Sequence, residues 1–402
     1  MKMVSKVKYK KFILLCLVLD LLAMVFLGYR YLNRKIPDEI QFNKSCGLDF
    51  PQLTKIPFVS FGDAIPVSGE GSYLLPCRIL GTIPFKDIKI VPAKTDTLLV
   101  SGSTVGIYME TDGVLVIDTG EILSQDGESR NPAKNLLKPG DYIISMNQRK
   151  ISCKKDLIED MEQLDGQTVT VNVLREETTI PVSLTPVKDA SGKYKLGVWV
   201  RDDTQGIGTL TYVTQSGTFG ALGHGISDID TGDLLSIKGG SLYGAEILGV
   251  QKGERGYPGE LSGLIRYRQD NQIGSICCNS QKGIYGTYGE DLNHSISLRQ
   301  MKIGYKQELK TGLASILCNV GDGVKEYEAK ITKIDMNHED SNKSFVIQVT
   351  DKELLNKTGG IVQGMSGSPI LQDGKVVGAV THVFVQDAAS GYGIFIENML
   401  EE

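Results

Sequence analysis

The stretch Gly359–Val385, GGIVQGMSGSPILQDGKVVGAVTHVFV, decides how this chain is read. At its centre lies Gly364-Met365-Ser366-Gly367-Ser368-Pro369. A serine hydroxyl alone is a weak nucleophile; it needs a base, an orienting group and backbone donors for the charge that develops on the attacked oxygen. Nearby glycines let the backbone approach a substrate and aim its N–H groups. Ser366 is therefore the candidate nucleophile, with the N–H groups of Gly364 and Ser366 as the oxyanion hole. The competing reading is a plain glycine-rich turn. The residues on its C-terminal side favour the nucleophile. Pro369-Ile370-Leu371 reads as a strand, Gln372-Asp373-Gly374-Lys375 as a tight turn, and Val376–Val385 as a long second strand.

This hairpin resembles the end of chymotrypsin-like proteases, where GDSGGP precedes a similar pair of strands. Met365 stands where that family has Asp, and Ser368 where it has its second Gly. Activation through a buried amino terminus paired with that Asp is thus not expected. The base must be a histidine, and the chain has four. His338 lies in the polar run DMNHEDSNKS and reads as exposed loop; His294 has no special surroundings. His382 falls on the strand expected to line the substrate cleft and reads as a wall or packing residue. His224 sits among small residues in GTFGALGHGISDIDTGD and precedes the serine, the chymotrypsin-like order. It is the candidate base. For the orienting carboxylate, the order His…Asp…Ser favours Asp351, after the strand-like VIQV; Asp228, Asp230 and Asp233 are the alternatives near His224.

Length and composition set the frame. The 402 residues suffice for two or three domains. With 46 glycines and one tryptophan, many short strands joined by glycine turns fit better than a helical bundle. A net charge of −5 and no strong basic run after residue 35 argue against a nucleic-acid groove. Lys2, Lys6, Lys8, Lys10 and Lys11 precede the apolar run Phe12–Tyr29, and Arg30, Arg34 and Lys35 follow it. That pattern predicts a membrane anchor, or a secretory signal, with the remainder outside the cytoplasm. The seven cysteines match no compact disulfide framework, and neither CxxC nor HExxH occurs, so no metal and no cofactor is expected.

Four segments are expected: an anchor over 1–35, a linker and small strand-rich region over 36–96, a PDZ domain over 97–187, and a double β-barrel over 190–402. The fold class is mainly β. The PDZ assignment rests on LKPGDYIISMNQRKIS, residues 137–152, which resembles the L-x-x-G-D-x-I-x-x-I-N-G strand and turn of PDZ domains. It rests also on a helix expected over Lys154–Leu164 and strands over Thr168–Leu174 and Glu177–Leu184. Such domains add an extended peptide to a sheet edge; the loop for a peptide carboxylate would fall near Ser103–Ile107.

Taken together, the anchor, the PDZ-like unit, ALGHGISDIDTG, KGERGYPGE and GGIVQGMSGSPILQDGKVVGAVTHVFV resemble the SpoIVB sporulation peptidases over nearly the whole chain. The resemblance implies a serine endopeptidase with the triad His224, Asp351 and Ser366. It implies export into the space between forespore and mother-cell membranes, and self-processing. It further implies cleavage of the extracytoplasmic part of a membrane-bound regulator, which frees an intramembrane metalloprotease that activates a late mother-cell sigma factor. The partners implied are that protein substrate, the chain itself, a peptide on the PDZ unit and the membrane. Two other readings compete: an HtrA-like quality-control protease, whose domain order is the reverse, and a non-enzymatic PDZ scaffold with a dead protease-like domain.

Overall fold

The structure, a computed structural model, describes residues 2–42, 53, 56–67, 71–93, 95–289, 296–338 and 340–402. His294 and Cys46 lie outside them. The chain is mostly β, and its strands close two rings. In the first, Thr104–Thr119 pairs with Val198–Val213, then Thr218–Ala221, Gly283–Tyr288, Gln272–Ser280 and Ile237–Gln251, which returns to Thr104–Thr119. In the second, Gly312–Asn319 pairs with Val324–Ile334, then Phe345–Val349, Asp387–Phe395, Lys375–Phe384 and Pro369–Gln372, which returns to Gly312–Asn319. This is the double β-barrel expected.

Alternation writes these rings. Along Val324–Ile334, Tyr327, Ala329 and Ile331 are buried while Lys325, Glu326, Glu328 and Lys330 are not, as the two-residue period of a strand requires. The first barrel is filled by Val105, Ile107, Met109, Leu210, Phe219 and Leu242 among others. The second closes around Ile316, Ala329, Phe345, Ile347, Ile370 and Phe395. A third cluster, including Leu98, Val100, Tyr212, Met301, Leu317, Leu371 and Ile394, lies between them. It joins the two sheets across the seam.

The PDZ unit is inserted into the first barrel, which corrects the expected boundary at 97. Thr104–Thr119 and Val198–Val213 run antiparallel over both bodies. Val105, Ile107 and Met109 belong to the barrel core, whereas Val114 and Val116 belong to a separate core with Leu137, Ile143, Met146, Leu157, Val171, Val173, Leu184 and Leu196. The register breaks between Arg201 and Asp203, where one body hands over to the other; an irregularity of this kind bends a strand. Ser103–Ile107 thus cannot hold a peptide carboxylate, because these residues are buried in the barrel.

Three helices matter. The first, α1 (Lys2–Lys35), contains the stretch Tyr9–Lys35, long and apolar enough to cross a membrane. The second, α2 (Lys154–Glu162), lies on the PDZ unit. The third, α3 (Lys352–Thr358), leads towards Ser366. Between α1 and the first barrel, a five-stranded sheet packs around Ile36, Ile40, Leu75, Ile88 and Ile90. It is tied to the second barrel: Asp38 N–H donates to Asn337 Oδ1 at 3.1 Å, and Arg34 pairs with Asp335 at 3.1 Å.

Candidate active site

Helix α3 starts at Asp351, whose Oδ1 accepts from Leu354 N–H at 3.0 Å. It ends at Gly359, in the left-handed region at φ 77°, where Gly359 N–H donates to Leu355 O at 2.9 Å. The chain then enters the Ser366 turn. Met365 N–H donates to Val362 O at 3.1 Å, Ser368 N–H to Met365 O at 3.0 Å, and Gly367 N–H to Val380 O at 2.7 Å. Glycine is required at 367: with φ 92°, a Cβ there would lie 2.2 Å from Thr209 O and 2.5 Å from Leu222 N. Met365, wholly buried, anchors the turn in the second barrel's core.

Two threonines of the first barrel hold the same turn. Thr209 N–H donates to Ser366 O at 2.9 Å and its hydroxyl to Gly364 O at 2.9 Å. The Thr211 hydroxyl donates to Gly367 O at 2.7 Å. With the carbonyls so occupied, the N–H groups of Gly364 and Ser366 have no acceptor among the described residues. Two such free donors on one rigid turn are what an oxyanion hole needs.

Ser366 Oγ donates to Thr381 O at 2.8 Å. The next residue, His382, brings its ring within 4.8 Å of His224, centroid to centroid, at a tilt of 34°. Ser366 and His224 therefore converge on Thr381–His382. His224 comes after the strand Thr218–Ala221 in a turn with Leu222 at φ 69° and Gly223 at φ 70°. Gly225 has no room for a side chain, since a Cβ would meet Ser280 O at 2.4 Å. Asn279 pins the loop: its Oδ1 accepts from Ile226 N–H at 2.9 Å, and its amide donates to Ile226 O and Leu235 O.

His224 Nδ1 lies 2.8 Å from Gly225 O. A carbonyl only accepts, so Nδ1 carries the hydrogen here and Nε2 keeps its lone pair. Burial pushes the His224 pKa down, so the ring is neutral and ready to take a proton.

The carboxylates do not fall where the sequence order puts them. Asp351 is not at His224: Oδ1 caps α3 and Oδ2 accepts from Glu328 N–H at 3.3 Å. A short polar side chain ahead of a helix is drawn to its unpaired N–H groups. Asp228 is buried and closes its own loop, accepting from Asp230 and Thr231 N–H at 2.9 and 3.0 Å. Against the opposing effect of burial, these bonds and Arg201 hold its pKa low. Asp230 also pairs with Arg201, at 2.8 Å. Among the described residues, no carboxylate hydrogen-bonds His224. His338 accepts from Asp340 N–H and stands in a half-buried turn.

A second concavity lies on the PDZ unit. Leu157, Ile158 and Met161 of α2 face Leu196, Val198 and Trp199 across a cleft of about 850 Å³. Lys154, Lys188, Lys193 and Lys195 stand around it together with Glu121 and Glu162; Lys154 pairs with Asp202 and Lys195 with Asp189. Val198–Val200 pairs with Thr104–Thr119 along one edge. This cleft is the candidate peptide groove, in place of the loop that the sequence motif suggests at Ser103–Ile107. The segment YKLGVWV, residues 194–200, is the signal for it in the sequence.

The family model for SpoIVB peptidase S55 matches residues 192–400. The chain belongs to that family. The match spans both the His224 loop and the Ser366 turn of this S55 peptidase. Among solved structures, the PDZ domain of the SdrC-like protein Lmo2051 from Listeria monocytogenes is 20% identical, covering 22% of this chain and 87% of that one, at a TM-score of 0.19. The Rv3671c protease in its inactive form is 13% identical, covering 48% of this chain and 81% of that one, at a TM-score of 0.27. Membership of a peptidase family implies protein substrates, the PDZ-like unit implies peptide binding, and α1 implies a membrane anchor or signal sequence.

Proposed function

We propose that this S55 peptidase is an extracytoplasmic serine endopeptidase of sporulation signalling. It cuts itself and the extracytoplasmic part of a membrane-bound regulator of an intramembrane metalloprotease, in the space between forespore and mother-cell membranes. Family membership supports the pathway. The chemistry is carried by one observation: Ser366 stands on a turn whose Gly364 and Ser366 N–H groups have no acceptor among the described residues, and it converges with a half-buried, neutral His224 on Thr381–His382.

The geometry supports the following order of steps. Ser366 Oγ leaves Thr381 O and donates to His224 Nε2, the nitrogen that Gly225 leaves free. Ser366 attacks a peptide carbonyl as its proton passes to Nε2. Gly364 and Ser366 N–H hold the oxyanion; removing one such donor costs about 2.7–4 kcal/mol in related chemistry. The proton then goes to the leaving amine, and water, activated by the same nitrogen, releases the acyl group. Asp351 serves one step away, by capping the helix that delivers the serine turn. The PDZ groove presents an extended segment of the substrate or of this chain.

The test is covalent labelling of the full chain in detergent with a fluorophosphonate, alongside self-cleavage. Labelling that disappears in Ser366→Ala and His224→Ala, with both variants remaining whole, supports the reading. A folded wild-type chain that takes no label and never shortens favours the scaffold.

A further inference from the structure

We infer that His382 is a positioning residue for the His224 base, its imidazole packed against the ring of the base. The inference rests on the proposed roles of Ser366 and His224.

Three observations carry it. The His382 ring lies against the His224 ring at 4.8 Å and 34°. A partner on that face fixes the plane of the base, which must hold Nδ1 on Gly225 O while Nε2 points to the serine. The His382 Nδ1 atom is buried and has no hydrogen-bond partner. An unpaired buried polar atom is costly, and a chain that needed only packing here would serve better with Phe or Leu. Finally, His382 directly follows Thr381, whose carbonyl holds Ser366 Oγ and whose hydroxyl donates to Asn342 O at 2.8 Å. One strand therefore sets both the serine and the ring behind its base.

His382 gains and loses no proton in the reaction. The Ser366 proton moves to His224 Nε2, and His382 remains neutral beside the cation. The groups around it favour that state. Burial pushes its pKa down to about 4, positive charge on His224 and Lys343 acts in the same direction, and Asp340 opposes them. Two stacked imidazoles cannot both be charged cheaply, so the proton is kept on the ring that serves the serine.

The test compares the full chain with His382→Phe, which keeps the stacked ring without nitrogen, and His382→Gln, which keeps a polar group. His224→Ala and Ser366→Ala are controls, and cleavage of a peptide substrate is followed from pH 5 to 9. We expect His382→Phe to lower kcat at least about tenfold with KM nearly unchanged and to shift the acid limb of the profile. His382→Gln should recover part of the rate. A wild-type rate in His382→Phe overturns the inference, as does a lower rate with the acid limb unmoved. If His382→Phe does not fold, the same two outcomes are read in His382→Gln. Activity surviving in His224→Ala would instead overturn the proposed function.

Discussion

Thr209 and Ser366 are bound backbone to backbone across the two barrels, Thr209 N–H donating to Ser366 O at 2.9 Å, while the Thr209 hydroxyl donates to Gly364 O. The first barrel thereby holds the two peptide planes, Gly364–Met365 and Ser366–Gly367, that flank the plane carrying Ser366 N–H, while the planes of Gly364 N–H and Ser366 N–H are held through their own carbonyls, Gln363 O accepting from Leu261 N–H at 2.9 Å and Met365 O from Ser368 N–H at 3.0 Å. Thr209→Val removes the hydroxyl but keeps the backbone bond and the shape. Leaving the carbonyl of the half-buried Gly364 unpaired costs about 1 kcal/mol, the low end of the penalty for a buried group. The variant should melt lower, and its kcat should fall further than its stability explains, because the Ser366 turn loses one of its ties to the first barrel. Peptide hydrolysis compared with a thermal melt separates the two effects.

Asp351 allows a sharper separation. If it acts by capping α3, Asp351→Ser keeps an N-cap and most activity, whereas Asp351→Ala loses roughly 1 kcal/mol of stability and slows cleavage through a loosened serine turn. If instead its charge orients His224, Asp351→Ser and Asp351→Ala are equally slow. The ratio of their kcat values decides, and the structure predicts a ratio well above one.

The pH dependence of stability has two opposing parts. His382 has its folded pKa depressed to about 4 from 6.5. Below about pH 6.5 the unfolded state takes up a proton that the folded state refuses, so this contribution is full above that pH and is lost as pH falls towards 4. Glu397 is buried and its carboxyl is pushed up to about 7 by that burial. The folded state holds its proton better, so this contribution is full below about pH 4.5 and is lost as pH rises through 7. Glu397→Gln should therefore raise the melting temperature at pH 8 relative to wild type and leave it little changed at pH 4.5. His382→Phe should flatten the acid side. Melts of the three proteins from pH 4 to 8 check both signs.

The groove on the PDZ unit reports on itself. Trp199 is the single tryptophan of the chain and is 68% exposed on the cleft wall. An extended peptide laid along Leu196–Val200 should change its fluorescence. Lys188 and Lys193, which have no carboxylate partner among the described residues, favour acidic peptides on their side of the cleft, with affinity falling as salt rises, whereas Glu121 and Glu162 disfavour them on theirs. Ile158→Glu, on the exposed face of α2, should abolish the response without unfolding the domain. A salt-independent response that prefers basic peptides would remove the charge argument.

The serine turn, the histidine loop and the β-rich architecture are legible in the sequence because each is written locally. Glycines at 364, 367, 223 and 225 mark places where a side chain does not fit or the backbone turns left-handed. The alternation in Val324–Ile334 is visible in one strand. What escapes depends on contacts between distant segments. Thr209 and Thr211 read as ordinary strand residues until the Ser366 turn is laid on them, 155 residues away for the Thr209–Gly364 bond. His382 reads as a cleft wall; only the closed second barrel brings it to His224. Chain order places Asp351 in the triad, yet chain order says nothing of the helix it caps. The PDZ boundary fails for a related reason: nothing in Thr104–Thr119 marks where a continuous strand changes the core it serves.

That continuity sets the last prediction. Removing 97–187, a natural cut if the PDZ unit began at residue 97, would take out Leu98, Val100, Val105, Ile107 and Met109, all buried in the first barrel or the seam. Deleting large buried aliphatic side chains costs about 2–5 kcal/mol each, so the product should be insoluble or unfolded. A cut that respects the two long strands is different. Glu110 pairs with Asp203, so removing 113–200 and joining Asp112 to Arg201 through a two-residue Asn-Gly turn keeps the barrel pairing and closes it as a hairpin. The spliced protein should melt cooperatively and take a fluorophosphonate on Ser366. If it labels but no longer cuts its protein substrate, the PDZ unit delivers substrate; if it cuts faster, the unit restrains the peptidase. A folded, labelling product from the 97–187 deletion would mean that the first barrel does not need its first two strands.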